Sequence, residues 1–575
     1  MRALALLVAS MLLPSVGGAD VSADLRHIIT GSSIPDEGYC DQPYVVITDE
    51  GHWLCTMTTG SGHEGQREQH VISTISEDEG QTWSDPVDIE PPGPPEASWV
   101  MPLKVPSGRV YAFYTYNTPN IAEWNGQRIR ADTIGDIAFK YSDDGGLTWS
   151  DERYRIPLRP MDIDGENFFG GEIDICWGVG KPIVAGDVVY WGASKVGHPG
   201  VAAGPTEGIF FMSRNILTES DPAKIRFDVL PDGNRGLVAP AGNIAEEQNL
   251  VQLSTGDLYC VYRTVDGYLA HATSADGGHA WSDTASARYS PDGRRIKNPR
   301  GPSFIRKFSN GKYLLLYYNH SGRDFNGRNP YWLSGGVERD GVIHWSEPEI
   351  CLYDDNPATR MGYPDYIEHE GRYWLTETNK EEARVHPLDV EMLEGLWRQH
   401  KADSVAKDGL VLNLKNPSGE IDIPELPNLA DRGGFTLDFW LKLDDLTPGQ
   451  TLLDTRDDSG KGIALTTSED ATVRLELSDG TVSDAWDTDA GLLSAGAKHH
   501  IAAIVDGGPK LITFIVDGTL CDGGEARQHG WHRFPFELAD VSAGSADVAP
   551  AIRRLRVYNR YLRTSEAIGN WRAGK

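Results

Sequence analysis

Few of the residue types that commonly do chemistry form a self-contained site in this sequence. Six cysteines (Cys40, Cys55, Cys176, Cys260, Cys351 and Cys521) are scattered without Cys-x-x-Cys spacing, which argues against zinc. They read as buried thiols in strands, with a Cys40–Cys55 pair across the first hairpin left open. His499-His500 has no matching acidic or cysteine partner nearby, so no metal role is expected, and Asp143-Asp144 reads as a turn cap rather than a calcium site. In Phe168-Phe169-Gly170-Gly171-Glu172-Ile173-Asp174, two glycines and two acids begin a strand just before Cys176-Trp177. If that strand end faces the centre of the fold, Glu172 and Asp174 bond hydroxyl or amide groups of a ligand; the alternative is a solvated loop. A formal net charge of −31 argues against nucleic acid and anionic membranes as partners, since both select basic patches. Any anionic substrate must be held by local arginines against this acidic background.

The elements that must position such residues are announced by a repeat. Ser142-Asp143-Asp144-Gly145-Gly146-Leu147-Thr148-Trp149 has an earlier copy from Ser76 to Trp83 and a later one from Ser274 to Trp281, with Ala280 in place of the threonine. In the form Ser-x-Asp-x-Gly-x-Thr-Trp, the aspartate accepts backbone amides of a tight turn, glycine supplies the positive φ, and tryptophan packs beneath. The interval from Trp149 to Trp281 is twice that from Trp83 to Trp149, so one copy has decayed between them, and Asp340-Gly341 leading to Trp345 is a weaker echo. One period after Asp144 falls Phe210, in a strand-like run from Gly208 to Ser213 that has lost the motif. Short runs rich in Val, Ile, Tyr, Phe and Trp fill about residues 41 to 378, which at roughly 60–66 residues per unit makes six units. The fold class expected is all-β: a six-bladed β-propeller over residues 20–385, then a helix and linker at 386–407, then a β-sandwich of jelly-roll type at 408–575. The helix is expected from Pro387 to Gln399, with the proline at its first position. A chain ending near His400 is expected to fold alone and to keep activity on a small soluble substrate. Met1-Arg2, an apolar run from Ala3 to Leu13 and Gly17-Gly18-Ala19 read as a signal peptide (1–19), giving a secreted or periplasmic protein; no later apolar run is long enough to span a membrane.

The repeat is the Asp box, and with the blade count residues 41–377 resemble the sialidase (neuraminidase) superfamily. More specific are three further segments, in order. Glu247-Gln248-Asn249-Leu250-Val251-Gln252-Leu253 followed by Arg263 is similar to the family's glutamate and substrate-binding arginine. Gly327-Arg328-Asn329-Pro330 matches another arginine of the carboxylate site, and Gly362-Tyr363-Pro364-Asp365 the motif of the catalytic tyrosine. The resemblance implies an exo-α-sialidase acting on sialylated glycans or glycoproteins, retaining through a tyrosyl intermediate, with no cofactor. Sialic acid bears a carboxylate on its anomeric carbon, which repels a carboxylate nucleophile but not a phenol. A phenol of pKa about 10 needs an adjacent base, the role implied for Glu247. Arginine suits the carboxylate because its planar fork binds bidentately and stays charged.

The chain also departs from the family. The Arg-x-Pro motif of the first inner strand reads Asp41-Gln42-Pro43 here, so the first arginine is missing. Arg300, in Asn298-Pro299-Arg300-Gly301-Pro302, stands before an inner strand and restores a cluster of three with Arg263 and Arg328. The acid/base position falls on Glu64, beside His63, with Asp41 a third candidate. Asp41, Gln42, Glu172 and Asp174 complete the candidate substrate contacts. The missing arginine keeps two rivals open: a propeller hydrolase or lyase acting on uronic-acid polysaccharides, and a non-catalytic glycan-binding propeller. The last domain resembles laminin-G-like jelly rolls through Phe435-Thr436-Leu437-Asp438-Phe439-Trp440 and Leu555-Arg556-Val557-Tyr558-Asn559-Arg560-Tyr561-Leu562.

Overall fold

The computed structural model describes residues 24–197 and 204–574, and the expected leader at 1–19 lies outside them. Six antiparallel sheets follow one another along the chain as blades. The inner strands of blades one, two, four, five and six are Tyr39–Ile47, Ala97–Lys104, Glu246–Gln252, Phe304–Lys307 and Gly362–His369, while blade three opens on the short strands Cys176–Gly178 and Ile183–Ala185. Blade six is completed from the other end of the chain: Ser32–Ile34 pairs antiparallel with Ala383–Pro387, Ser33 opposite Arg384. This joint closes the ring, so that no blade is left to hold the last sheet alone.

The Asp boxes lie in the turns between third and fourth strands. In blade two, Asp144 Oδ1 accepts from Thr148 N at 2.9 Å, its Oδ2 from Thr148 Oγ1 at 2.6 Å, and Ser142 Oγ accepts from Gly146 N at 2.8 Å. The tryptophan of each box reaches the preceding blade: Trp149 Nε1 donates to Ser73 Oγ of blade one, and Trp281 stacks on Phe210 of blade three at 4.5 Å. The boxes are therefore cement between blades. The decayed copy is still visible, because Ser213 Oγ accepts from Ile216 N and approaches Asn215 Oδ1, with asparagine where the motif has aspartate. Its turn is displaced along the chain, which is why a fixed period lands on the strand instead. Asp144→Ala removes turn bonds of the capping kind and is expected to cost about 1–2 kcal/mol by thermal or urea unfolding.

After blade six, Asp389 caps the helix α1 (Val390–Arg398), its carboxylate accepting from Glu391 N and Met392 N. Pro387 is not the first helical residue as expected; it ends the strand Ala383–Pro387, and the ladder runs on through Leu388 N to Tyr373 O. The C-terminal sandwich is two sheets, one built on Phe435–Lys442, Lys498–Asp506 and Leu511–Val516, the other on Thr451–Asp454, Gly462–Thr467 and Val473–Ser478. Phe435, Leu437, Phe439, Leu475, Ile501 and Phe514 fill the core between them. All six cysteines are free and buried; Cys40 faces Thr59 and Cys55 faces Val45, so the first hairpin carries no disulfide.

The jelly roll is packed hard against the propeller. Trp332 of blade five lies in one apolar cluster with Ile504, Leu511, Ile515, Leu520, Trp531 and Leu562. Around it run the ion pairs Arg26–Asp506 (2.6 Å) and Arg294–Asp522 (2.7 Å), together with Arg432–Asp355.

Candidate active site

Four inner strands carry the same defect near their first residues. The ladder slips between Asp41 and Tyr44, Ser98 and Met101, Glu246 and Asn249, and Gly362 and Asp365. At each slip one residue has a left-handed backbone: Gln42 (φ 57°), Trp99 (65°), Glu247 (61°) and Tyr363 (50°). Such bulges re-aim a side chain out of the pleat, and positive φ at bulky residues is costly enough to mark sites that the surrounding structure holds in place. Glu247 and Tyr363 are both presented this way, from blades four and six.

The two meet. Tyr363 Oη donates to Glu247 Oε1 at 2.9 Å, both residues buried. Trp99 and Phe304 stand edge-on to the phenol ring at 6.0 and 6.4 Å, and Lys380 Nζ lies 4.1 Å from its centroid. Burial and the charge of Glu247 push the Tyr363 phenol well above its ordinary pKa, so it stays protonated until a base takes the proton. Burial also raises the Glu247 carboxyl, against the pull of Arg263.

The arginines converge from three loops and strand ends. Arg263 is paired in the ladder with Glu246, and its Nε and Nη2 both reach Glu246 Oε2 at 2.9 Å while Nη1 lies 2.9 Å from Glu247 Oε1. Arg300 takes the other side of the same carboxylate, Nη2 to Glu246 Oε1 at 2.6 Å. Arg328 is 2 % exposed, donates from Nη2 to the Arg300 carbonyl at 3.0 Å, and its Nε has no acceptor among the described residues. The Phe325 ring covers the group, 4.6 Å from the Arg300 guanidinium and 5.8 and 5.6 Å from those of Arg263 and Arg328. Glu246 thus neutralises two of the three arginines, and Arg328 keeps a spare edge for an anion.

At the head of the first inner strand, Asp41 makes an ion pair: Lys380 Nζ is 2.5 Å from Asp41 Oδ2 and 3.4 Å from Glu64 Oε2. Arg130 Nη2 binds Glu64 Oε1 at 2.9 Å and its Nε binds Asp132 at 2.9 Å. Burial raises the Glu64 pKa, but Lys380 and Arg130 outweigh it and hold the carboxyl far below the usual range, ionised. Asp41, fully buried beside the Glu64 charge, is raised despite Lys380. Of the two carboxylates sharing one ammonium, Asp41 is the one that keeps a proton longer.

The remaining candidates stand apart. Gln42 is buried and braces the ring, Nε2 to the Gly178 carbonyl of blade three at 3.0 Å. His63 is exposed on its loop. Asp174 pairs with Lys195 at 2.9 Å, which also holds Asp164 at 2.5 Å, and Glu172 is exposed, so this loop is tied to its own lysine rather than to the arginines. Sequence reasoning missed Glu246, Lys380, Arg130 and Phe325. Only Glu246 left a signal, as the first of two adjacent acids opening an inner strand.

Residues 415–568 match the family model described as the concanavalin A-like lectin/glucanases superfamily. No curated protein matches the chain. Among solved structures the chain is similar to Trypanosoma rangeli sialidase in complex with 2,3-difluorosialic acid, a covalent intermediate, at 14% identity over 95% of this chain and 97% of that one, with a TM-score of 0.45. It is also similar to a protein of unknown function from Dyadobacter fermentans, at 16% identity over 62% of this chain and 96% of that one, with a TM-score of 0.43. The chain is a six-bladed β-propeller joined to a β-sandwich that carries the concanavalin A-like match.

Proposed function

We propose that this protein is an exo-acting glycoside hydrolase of sialidase type, releasing a terminal carboxylated sugar with retention of configuration. The observation that carries the reading is the 2.9 Å bond from the Tyr363 hydroxyl to Glu247 beside Arg263, with Arg328 close by. Arg328 offers its unpaired edge to the sugar carboxylate, with Arg263 and Arg300 held alongside by Glu246. Tyr363 Oη attacks the anomeric carbon and gives its proton to Glu247, while the glycosidic C–O bond breaks and the leaving oxygen is protonated from the Asp41–Lys380–Glu64 group. Water then attacks the glycosyl-tyrosine and gives a proton back to the Asp41–Lys380–Glu64 group, the C–O bond to Tyr363 breaks, and Glu247 returns its proton to the phenolate. A neutral phenol meets no repulsion from the substrate carboxylate.

Glu247 must be ionised to act as the base. Because its pKa is raised, kcat/KM is expected to fall with decreasing pH from a higher point than an ordinary glutamate, near pH 4.3, would give. A pH–rate profile whose acid limb lies at or below pH 4 counts against Glu247 in this role.

The ion-paired Asp41 in place of an arginine favours the rival class, enzymes acting on uronic acids. Incubation with sialyllactose and with a glucuronide-capped oligosaccharide separates the two, following free sugar by chromatography and the anomer by early-time NMR. Sialic acid released first as the α-anomer supports the proposal. Cleavage of the glucuronide alone overturns it, and an unsaturated product identifies a lyase.

A further inference from the structure

The loops that carry Arg300 and Arg328 are not anchored only by the propeller. Lys297, 3 % exposed, points into the jelly roll, where its Nζ donates to three carbonyls of one turn: Asp522 at 2.7 Å, Gly524 at 2.6 Å and Arg527 at 2.9 Å. Three N–H donors on an ammonium match three acceptors on one loop. The turn is itself pinned from behind, since Asp489 accepts from Asp522 N and Gly523 N and takes the Arg527 guanidinium at 2.6 Å.

From Lys297 the chain runs directly into the site. Asn298 Nδ2 ties the Pro299 and Gly301 carbonyls at 2.9 Å each, which fixes the loop on either side of Arg300. The second loop is held from the same jelly-roll segment. Trp531 Nε1 donates to the Asn319 carbonyl at 3.1 Å, Ser321 N donates to the Gln528 carbonyl at 3.1 Å, and His320 stacks on His529 at 4.7 Å. His320 Nε2 is 2.8 Å from the Gly327 carbonyl, one residue before Arg328. The two loops then lock together at the arginines, through Arg300 N to the Asp324 carbonyl and Arg328 Nη2 to the Arg300 carbonyl, both 3.0 Å.

We infer that the jelly-roll segment from Asp522 to Trp531 is a built-in positioning part of the anion pocket, acting through Lys297 and His320 on Arg300 and Arg328. The sandwich is then not a tethered lectin whose removal affects only polymeric substrates. The inference concerns the arginine cluster and does not require the sugar to be sialic acid.

The test uses the full chain and two variants approaching the contact from opposite sides: Lys297→Met in the propeller and Asp489→Asn in the jelly roll, neither in the catalytic group. Amide hydrogen exchange at 20 °C is read in peptides covering 296–303 and 319–330, with 246–252 and 362–369 as internal controls. Both variants are expected to speed exchange at least tenfold in the first two segments and less than twofold in the controls, with Lys297→Arg recovering part of the protection. Calorimetric titration with N-acetylneuraminic acid should show at least a tenfold weaker Kd for both variants. Unchanged exchange around Arg300 and Arg328 overturns the inference, as does loss of protection spread equally over all four segments, which marks general destabilisation. If the wild-type protein does not bind N-acetylneuraminic acid, the proposed substrate fails, while the exchange result still decides the positioning role.

Discussion

Replacing Tyr363 with phenylalanine is expected to lower hydrolysis by on the order of a thousandfold or more while leaving the fold and ligand binding in place. The substitution deletes one oxygen. The ring stays in its cage of Trp99, Phe304 and Lys380, and the left-handed backbone at the bulge is set by the ladder slip, not by the hydroxyl. Arg328, the proposed anchor for the substrate carboxylate, is untouched, so the Kd for sialic acid should change less than threefold. Turnover of a sialoside above a few per cent of wild type would sink the nucleophile assignment. Equal loss of binding and turnover would mean that the hydroxyl holds Glu247 in place for binding, so that the missing oxygen no longer isolates the chemical step.

The sequence suggests that a chain ending near His400 folds alone, but the apolar cluster shared by blade five and the sandwich reverses that expectation: such a chain is expected to be insoluble, or to melt at least about 10 °C lower and to be inactive on small and polymeric substrates alike. Its removal of the sandwich uncovers the face of blade five around Trp332 and Ile350, which now packs on Ile504, Leu511 and Leu562. Exposed apolar patches of this kind drive aggregation. It also strips Glu349 of the Thr564 and Ser565 amides and Lys297 of its three carbonyls, and the contact behind Arg300 goes with them. Soluble yield, differential scanning calorimetry and activity on a small chromogenic sialoside check this together. A cooperative melt within a few degrees of the full chain, with small-substrate activity kept, would show that the two units are energetically separate.

The sequence by itself determined the architecture: a turn motif recurring at one spacing requires one kind of blade, and alternation from Phe435 to Leu441 requires a strand of a sandwich. It also set the order glutamate, arginine, arginine, tyrosine along blades four to six, with Glu247 and Tyr363 on inner strands, Arg263 at the end of a second strand and Arg328 in a loop. Tertiary structure alone decided how they are aimed. A bulge is a slip between two strands, so the left-handed backbones at Glu247 and Tyr363 have no signature in either strand's own residues. Ring closure by Ser32–Ile34 and the Lys380 bridge between Asp41 and Glu64 join positions hundreds of residues apart, as does the Lys297 contact with the jelly roll. In each of these the partner is chosen by packing, and a lone lysine or a three-residue strand reads locally as surface.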